Sequence, residues 1–192
     1  MMIGITGGSG AGKTTALNVL REMGFTIIDC DAVYHGLLSS DDAMKAELKS
    51  SFPEAFSRGK LNRKKLGKTV FSDPGKLDRL NGIIFKYVIA RVTEIASGTE
   101  NSAVDAISLV ESGLHLKCDF TVAVIAPREE RVRRIMLRDG VSREYAELRI
   151  SAQKPDSFYE ENCDFIIIND GNEESFRQKC EMLFKDITGG QS

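Results

Sequence analysis

Residues 7–14 of the chain read GGSGAGKT, a full match to the pattern G-x-x-x-x-G-K-[ST]. The apolar run from Met2 to Thr6 before this segment predicts a short strand, and the run from Lys13 to Met23 after it has the spacing of a helix. The alternative is a glycine-rich turn with an incidental Lys-Thr pair. The complete pattern between a strand and a helix favours a phosphate-binding loop instead.

The residue types of this loop suit phosphate chemistry. Glycines let successive N–H groups turn inward and place no side chain in the path of a phosphate, and the following helix adds its positive dipole end. Lys13 can reach the β- and γ-phosphates, and the Thr14 hydroxyl can ligate Mg²⁺. We assign nucleotide binding to Gly8, Ser9, Gly10, Ala11, Gly12, Lys13, Thr14 and Thr15.

Apolar segments continue to alternate with helical patterns, which is typical of an α/β protein with a parallel sheet. Further strands are expected at Phe25 to Asp29, Ser102 to Ala106, Phe120 to Ala126 and Phe165 to Ile168. The run from Phe120 is nearly continuous and predicts a strand buried on both faces. Pro127 then opens a helix in its first turn, Glu173 to Lys185 forms the last helix, and the tail from Thr188 to Ser192 is expected to fray.

Two helical segments extend this alternation within what we treat as one domain, 1–192. About seventy residues of mostly helical pattern separate the second and third strands, far more than a plain crossover requires. We interpret 32–98 as a helical insertion that binds an acceptor substrate. Residues 131–156 form a shorter, arginine-rich segment, which we call the lid.

Composition narrows the classes of partner. The chain has 192 residues, a net charge of -2 and a pI near 5.8, so nothing in its overall charge attracts nucleic acid or a membrane surface. It has no apolar stretch of the ~18 residues that a membrane helix needs. Four scattered cysteines without a C-x-x-C pair are expected to be free thiols, and two isolated histidines do not suggest zinc. We expect a cytoplasmic monomer or weak homo-oligomer.

Two aspartates, Asp29 and Asp31, lie at the carboxyl end of the second strand, the edge of a parallel sheet where ligands bind. A carboxylate there could accept the proton of a hydroxyl that attacks the γ-phosphate. Their alternating spacing points both the same way if the strand is still extended. The alternative is that one or both cap the following helix. We favour the catalytic role for Asp31 and leave Asp29 open.

Asp105 follows the third expected strand and could hold Mg²⁺ through water. Glu111 lies six residues further on. For this residue, the alternative to a functional role is a surface position near a helix end.

Six arginines crowd the lid and are candidates for charge neutralisation: Arg131, Arg133, Arg134, Arg138, Arg143 and Arg149. Arg134 and Arg138 are four apart and share a helix face, so a closing lid could bring both to a triphosphate. The alternative is a solvated face paired with nearby glutamates. For Arg131 and Arg143 individually, we expect a surface position.

Together these segments resemble the dephospho-coenzyme A kinase family over nearly the whole chain. The segments that carry the resemblance are 3–15, 24–31, 61–71, 80–81, 105–114, 134–140, 146–153 and 164–169. The phosphate loop alone is shared by many families, whereas this combination is much more specific.

The resemblance implies a three-layer P-loop kinase fold with a parallel sheet, a helical substrate-binding insertion and a short helical lid. It implies transfer of the ATP γ-phosphate, with Mg²⁺, to the ribose 3′-hydroxyl of dephospho-coenzyme A. By the same resemblance Asp31 is the base, Lys13 the phosphate ligand, Thr14 the metal ligand and Arg138 a catalytic lid contact. Its remaining assignments are Arg134 and Asn169 to the nucleotide and His35, Arg63, Asp105 and Glu111 to the substrate. A partly buried helix position is the alternative for His35.

Three places depart from the family pattern. Ile107 and Ser108 stand where the family has a Pro-Leu-Leu run, Phe85 and Lys86 replace a His-Pro pair, and Tyr159 occupies a usually basic position. These changes bear on acceptor affinity and leave the phosphate and proton-transfer groups in place.

Two other functions stay open. Another nucleoside or nucleotide kinase would share the loop, base and lid but bind a smaller acceptor, and a non-catalytic sensor would bind nucleotide without turnover. No Asn-Lys-x-Asp motif is present, which argues against a GTPase.

Overall fold

The computed structural model describes residues 1–57 and 59–189, in which short strands alternate with helices. The strands are β1 (Met2–Thr6), β2 (Thr26–Asp29), β3 (Phe56–Ser57), β4 (Lys60–Leu61), β5 (Ser102–Asp105), β6 (Phe120–Ile125) and β7 (Phe165–Ile168). The α-helices are α1 (Lys13–Glu22), α2 (Cys30–Ser40), α3 (Asp42–Ser51), α4 (Arg63–Phe71), α5 (Pro74–Ser97), α6 (Arg128–Asp139), α7 (Arg143–Ser151), α8 (Asp156–Asn162) and α9 (Glu173–Gly189). Short 3₁₀ turns lie at Pro53–Ala55 and Leu114–Lys117.

The central sheet has the strand order β2-β5-β1-β6-β7. β1 runs parallel to both β5 and β6, and β6 runs parallel to β7. The register places Ile5 of β1 beside Asp105 of β5. Because parallel strands end at the same edge, the loop after β1 and the carboxylate of Asp105 share the edge where ligands bind.

β6 is buried on both faces, which confirms the prediction made from its continuous apolar run. Val122 and Val124 belong to a core formed with α1 and α9. Ala123 and Ile125 point the other way and pack against Tyr159 of α8. The sheet therefore lies between two helical layers, and the expected three-layer α/β fold is confirmed.

The last helix, α9, is longer than predicted from the sequence. Its buried stripe, Phe176, Cys180, Phe184 and Ile187, covers the sheet and continues past the predicted end at Lys185. The expected fraying of the tail is wrong for Thr188, which is helical and donates its hydroxyl to the Phe184 carbonyl oxygen at 2.7 Å. The rest of that expectation, residues 190–192, lies outside the described residues.

Asp29–Ser97 forms a compact unit of its own, and Met1–Ile28 with the chain from Gly98 onward forms the other. In the first unit α2, α3 and α4 pack on α5, which buries Leu80, Ile83, Val88 and Val92. The unit also contains the short antiparallel pair β3–β4, which the sequence did not predict. Acceptor binding by this unit stays a prediction.

Two smaller features complete the fold. Pro127 is the N-cap residue immediately before α6, one position earlier than the first-turn place that we expected. Within residues 1–57 and 59–189, no helix is both long and apolar enough to cross a membrane.

Candidate active site

The phosphate loop joins β1 to α1, and its glycines are required by close packing. Gly12 occupies the N-cap position of α1 with φ 116°. A Cβ at Gly7 would lie 2.1 Å from the carbonyl oxygen of Val124 in β6. No side chain fits that space, so the loop can lie against the sheet only with glycine there. Lys13 folds back along the loop and donates to the Gly7 carbonyl oxygen at 2.8 Å.

Side chains from distant parts of the chain bind carbonyl oxygens of the phosphate loop. Arg134 donates to the carbonyl oxygens of Gly10 and Ala11 at 3.2 and 3.3 Å. Asn169, which follows β7, donates to the Ala11 carbonyl oxygen at 2.8 Å and accepts from Arg134 at 3.2 Å. The two residues that we assigned to the nucleotide thus contact the loop backbone itself.

Arg131 also binds the loop, and its expected surface position is wrong. The residue is 6% exposed, and its Nε donates to the Ser9 carbonyl oxygen at 3.0 Å. Burial lowers the pKa of the guanidinium from 12.5, partly offset by the charge of Asp156. The group stays charged because an arginine pKa lies far above neutral pH.

Gln153 completes this contact with Ser9. Its Oε1 accepts from the Ser9 backbone N–H at 3.0 Å, and its Nε2 donates to the Ser9 hydroxyl at 2.9 Å. The loop and the lid are therefore joined at two points, Arg131 near the start of the lid and Gln153 near its end.

A pocket of about 350 Å³ opens beside the loop. Gly12, Thr15, Arg134, Asn169 and Phe176 line part of it, so its wall combines glycine backbone, an aromatic ring, an amide and a guanidinium. This mixture suits a nucleotide, whose base needs an apolar surface and whose phosphates need positive charge. Thr14 lies in the first turn of α1 with its side chain exposed.

A second pocket of about 520 Å³ is lined by the start of α6, the end of α7 and residues 153–156. Its charged lining consists of Arg128, Arg131, Lys154 and Asp156, and Arg128 donates to the Ser151 hydroxyl at 3.2 Å.

Asp29 and Asp31 have different local roles. The Asp29 carboxylate caps α2, accepting from the backbone N–H groups of Asp31 and Ala32 at 2.8 and 3.0 Å. Helix α2 already begins at Cys30, so the extended spacing that would align both aspartates does not hold. Within the described residues, the exposed Asp31 carboxylate accepts no hydrogen bond and forms no ion pair.

Two expected substrate residues lie in the helical unit. His35 is exposed on α2, so the partly buried position considered for it is wrong. The centroid of its ring lies 5.4 Å from the centroid of the Tyr34 ring. Arg63 begins α4 and is exposed. Burial raises the pKa of Tyr34, and the positive charge of Arg63 partly opposes that shift. Tyr34, His35 and Arg63 therefore form one neighbourhood.

The other two expected substrate residues lie in the unit that contains the sheet. Asp105 ends β5 and is half-buried. Glu111 is exposed. Burial is the main reason that the pKa values of Tyr159 and Cys163 are raised, and the negative charge of Glu111 raises both further. Glu111 thus lies close to α8.

Arg138 forms an ion pair at the end of α6. It donates to both carboxylate oxygens of Asp139 at 2.7 and 3.0 Å, and Arg149 of α7 binds the same carboxylate. Hydrogen bonding from Arg138 holds the pKa of Asp139 at about 2. Arg143 is exposed and pairs with Glu129 and Glu147, which confirms its expected surface position.

A family model described as dephospho-CoA kinase matches residues 1–175. The chain belongs to the dephospho-CoA kinase family. Its curated relatives of that name include one from Thermus thermophilus, 35% identical over 99% of this chain and 93% of the relative. Another, from Fusobacterium nucleatum, is 34% identical over 97% of this chain and 98% of the relative.

Solved structures agree with this assignment. A crystal structure from Thermus thermophilus covers 100% of this chain and 98% of its own, with TM-score 0.78 and 34% identity. A dephospho-CoA kinase from Campylobacter jejuni, with the same coverage, gives TM-score 0.70 and 25% identity. A shikimate kinase from Bacteroides thetaiotaomicron gives TM-score 0.59 at 17% identity and covers 96% of this chain and 98% of its own. At that identity the likeness shows the P-loop kinase fold alone.

The departures of this dephospho-CoA kinase family member have distinct surroundings. Tyr159 is 2% exposed and acts as a core residue under β6. Lys86 pairs with Glu47, whose carboxylate also accepts from the Tyr87 hydroxyl at 2.9 Å. Ile107 is exposed and accepts at its carbonyl oxygen from the Thr6 hydroxyl at 3.2 Å.

Sequence reasoning missed Arg131 and Gln153 as residues that hold the loop. One signal could have found Arg131, because it lies four residues before Ile135 on α6 and shares its inward face. Ile135 is fully buried. No comparable local pattern marks Gln153.

Proposed function

We propose that this chain transfers the γ-phosphoryl group of ATP to the ribose 3′-hydroxyl of dephospho-coenzyme A, the last step of coenzyme A biosynthesis. The observation that carries the proposal is that the family match extends from the phosphate loop through the helical unit and the lid. A phosphate loop alone would support only nucleotide binding. Relatives named dephospho-CoA kinase match at almost full length, which extends the argument to the acceptor.

ATP is proposed to bind along the phosphate loop. The loop N–H groups and Lys13 hold the phosphates, and the pocket lined by Thr15, Asn169 and Phe176 accepts the nucleoside. Arg134 supports the loop and adds positive charge beside this pocket.

The residues around the loop fit Mg²⁺. This ion prefers oxygen ligands and keeps several waters, so one or two protein oxygens are enough beside the phosphates. The Thr14 hydroxyl is exposed at the start of α1 and would hold it, and Asp105 at the same sheet edge would act through water. When bound, Mg²⁺ neutralises negative charge on the phosphates.

Asp31 is proposed as the general base. Its exposed carboxylate is free of the capping role that Asp29 fills, so it can accept the proton of the acceptor hydroxyl. That transfer makes the oxygen a better nucleophile as it approaches the γ-phosphorus. Arg138 is proposed to leave Asp139 and stabilise charge on the transferring group, while the lid keeps water out.

His35, Arg63, Asp105 and Glu111 are proposed substrate contacts. Tyr34 joins His35 and Arg63 in this proposal, because the three lie together and combine an aromatic surface with a positive charge. The cytoplasm is the proposed location, since the four cysteines are free thiols. We propose a monomer or weak homo-oligomer.

A coupled assay of ADP release tests the proposal directly. Mg-ATP is offered with dephospho-coenzyme A, adenosine, AMP, CMP or no acceptor. We expect turnover only with dephospho-coenzyme A, with coenzyme A identified as the product by mass. Turnover with a nucleoside or nucleotide, but not with dephospho-coenzyme A, would show that the chain is a kinase with a different acceptor. ATP binding without any turnover would indicate a sensor.

A further inference from the structure

Two side chains from the lid bind every polar group of Ser9. Arg131 binds the carbonyl oxygen at 3.0 Å, and Gln153 binds the backbone N–H at 3.0 Å and the hydroxyl at 2.9 Å. Arg131 and Gln153 also bind each other at 2.6 Å. We call this pair of side chains the Ser9 clamp.

The guanidinium in the Ser9 clamp is too deeply buried to be an incidental surface group. Burying a charge is unfavourable unless hydrogen bonds and counter-charges offset the loss of water. Arg131 meets this condition through Ser9, Gln153 and the carboxylate of Asp156, which lies 3.8 Å from Nη1. A Cβ at Gly8 would lie 2.1 Å from Nη2, so the loop backbone rests directly on the guanidinium.

The clamp sets the direction of the peptide group that follows Ser9. In a trans peptide the C=O and N–H point in opposite directions. Because the Ser9 carbonyl oxygen points at Arg131, the N–H of Gly10 points away from the lid. Arg134 and Asn169 bind the carbonyl oxygen of Ala11 in the same manner, so the N–H of Gly12 points away from them. The N–H groups of Gly10 and Gly12 are thereby held for an anion before it arrives, whereas the N–H of Ala11 already donates to the Gly8 carbonyl oxygen at 3.2 Å.

We propose that Arg131 is a positioning residue for nucleotide binding, which acts with Gln153 by clamping Ser9 and makes no contact with the phosphates. This inference rests on the proposed function only in taking the bound anion to be a nucleoside polyphosphate. It separates the arginines of the lid into two kinds. Arg131 supports the loop from outside, whereas Arg138 is proposed to act on the transferring phosphoryl group.

The test compares ADP and ATP binding, measured by calorimetry with Mg²⁺ and without acceptor, in the full chain and in Arg131→Lys. Lysine keeps the charge but cannot bind Ser9 and Gln153 together as the planar guanidinium does. We expect ADP and ATP affinities to fall alike, by roughly 10–100-fold, the range for losing a buried hydrogen bond to a charged group. At saturating ATP, kcat should stay within about threefold of wild type because the reacting groups are unchanged. Arg143→Lys, exposed on α7 and paired with Glu129 and Glu147, is the matched control and should bind both nucleotides normally.

Direct contact with the γ-phosphate predicts a different pattern, in which ATP affinity or kcat falls and ADP affinity does not. That result, or unchanged ADP affinity in Arg131→Lys, would overturn the clamp. Gln153→Ala is the second variant should Arg131→Lys not fold, because Gln153 is only half-buried. It removes two bonds to Ser9 and should weaken ADP binding similarly, and normal ADP binding there would also overturn the clamp. The double variant should lose less than the sum of the two single losses, since both side chains hold one residue.

The same measurements keep this inference apart from the proposed function. If the wild-type protein binds ADP but does not phosphorylate dephospho-coenzyme A, the kinase proposal is wrong. The ADP affinities of the variants then still test whether Arg131 and Gln153 position the loop. Wild type that phosphorylates dephospho-coenzyme A, with variants that bind ADP normally, removes only the clamp.

Discussion

Asn169 Nδ2 donates to the carbonyl oxygen of Ala11 at 2.8 Å, although 158 residues separate the two in sequence. The amide is buried, and it lies where the first turn of α1 meets the end of β7. The last strand therefore fixes the phosphate loop through one side chain. This contact also makes the neighbouring Gly12 position intolerant of any larger residue.

Gly12→Ala should disable the loop for two reasons. The backbone has φ 116°, which strains any L side chain, and the new Cβ would lie 2.3 Å from Asn169 Nδ2. We expect the unfolding free energy to fall by about 1–3 kcal/mol from strain alone, and ATP binding to be lost in calorimetry. Gly24→Ala is the matched control, since it has φ 90° but no atom within 4 Å of the new Cβ. It should lose some stability and keep ATP affinity; equal affinities in the two variants would contradict this account.

Asp31→Asn should lower kcat by roughly 10²–10⁴, the range for loss of a general base, with ATP affinity largely retained. Asparagine keeps the size of the side chain but cannot take the proton. Asp29→Asn controls for charge at the same strand end, because asparagine caps a helix as well as aspartate does. We expect that control to keep most of its activity. Initial rates at saturating ATP and dephospho-coenzyme A provide the measurement, and unchanged turnover in Asp31→Asn would remove Asp31 from the base role.

Arg138→Ala should reduce kcat by about 10²-fold, a usual loss for removing one group that stabilises charge in the transition state. ADP affinity should change little, which distinguishes this residue from Arg131. Asp139 stays ionised above its pKa of about 2, so the pair that holds Arg138 does not titrate between pH 5 and 9. Arg143→Ala, which removes an exposed arginine of α7 that pairs with Glu129 and Glu147, is the control. A loss of ADP affinity as large as the loss of kcat would place Arg138 among the residues that build the loop.

Local signals in the sequence were sufficient for the elements that form the loop and the core. GGSGAGKT after an apolar run predicted β1, the loop and α1, and the apolar run from Phe120 predicted a strand buried on both faces. Asp31 shows where such reasoning stops. The alternating direction of two aspartates holds only while the strand continues, and capping by Asp29 starts the helix at Cys30 instead.

Arg131 shows a second limit, which is long-range contact. Its neighbours in sequence are mostly charged, so a surface position was the natural expectation. Its actual partner is a carbonyl group 122 residues earlier in the chain. A backbone acceptor has no signature in the sequence, and only the folded loop shows that Ser9 presents one.

The alkylation rates of the cysteines test whether these residues are buried in the core. Burial raises the pKa of Cys118 and Cys180 to about 12 and that of Cys163 to about 11. The thiolate is the reactive form, so at pH 8 these thiols should react with iodoacetamide at least about 100-fold more slowly in the native protein than in urea. Mass spectrometry after a short pulse identifies each labelled cysteine. Native labelling of Cys180 at the denatured rate would contradict its place in the core.

The same shifts fix the direction of the stability change. An unfolded thiol ionises near pH 8.5, while the folded thiols keep their protons to pH 11 or 12. Between these values the folded state binds more protons at these thiols, so their contribution to the free energy of unfolding falls as pH rises, and below pH 8.5 that contribution is complete. Urea midpoints at pH 8 and 10 measure the change. Cys180→Ala, which lacks one of these protons, should show a smaller drop between the two pH values than wild type, and an equal drop would exclude Cys180 as a contributor.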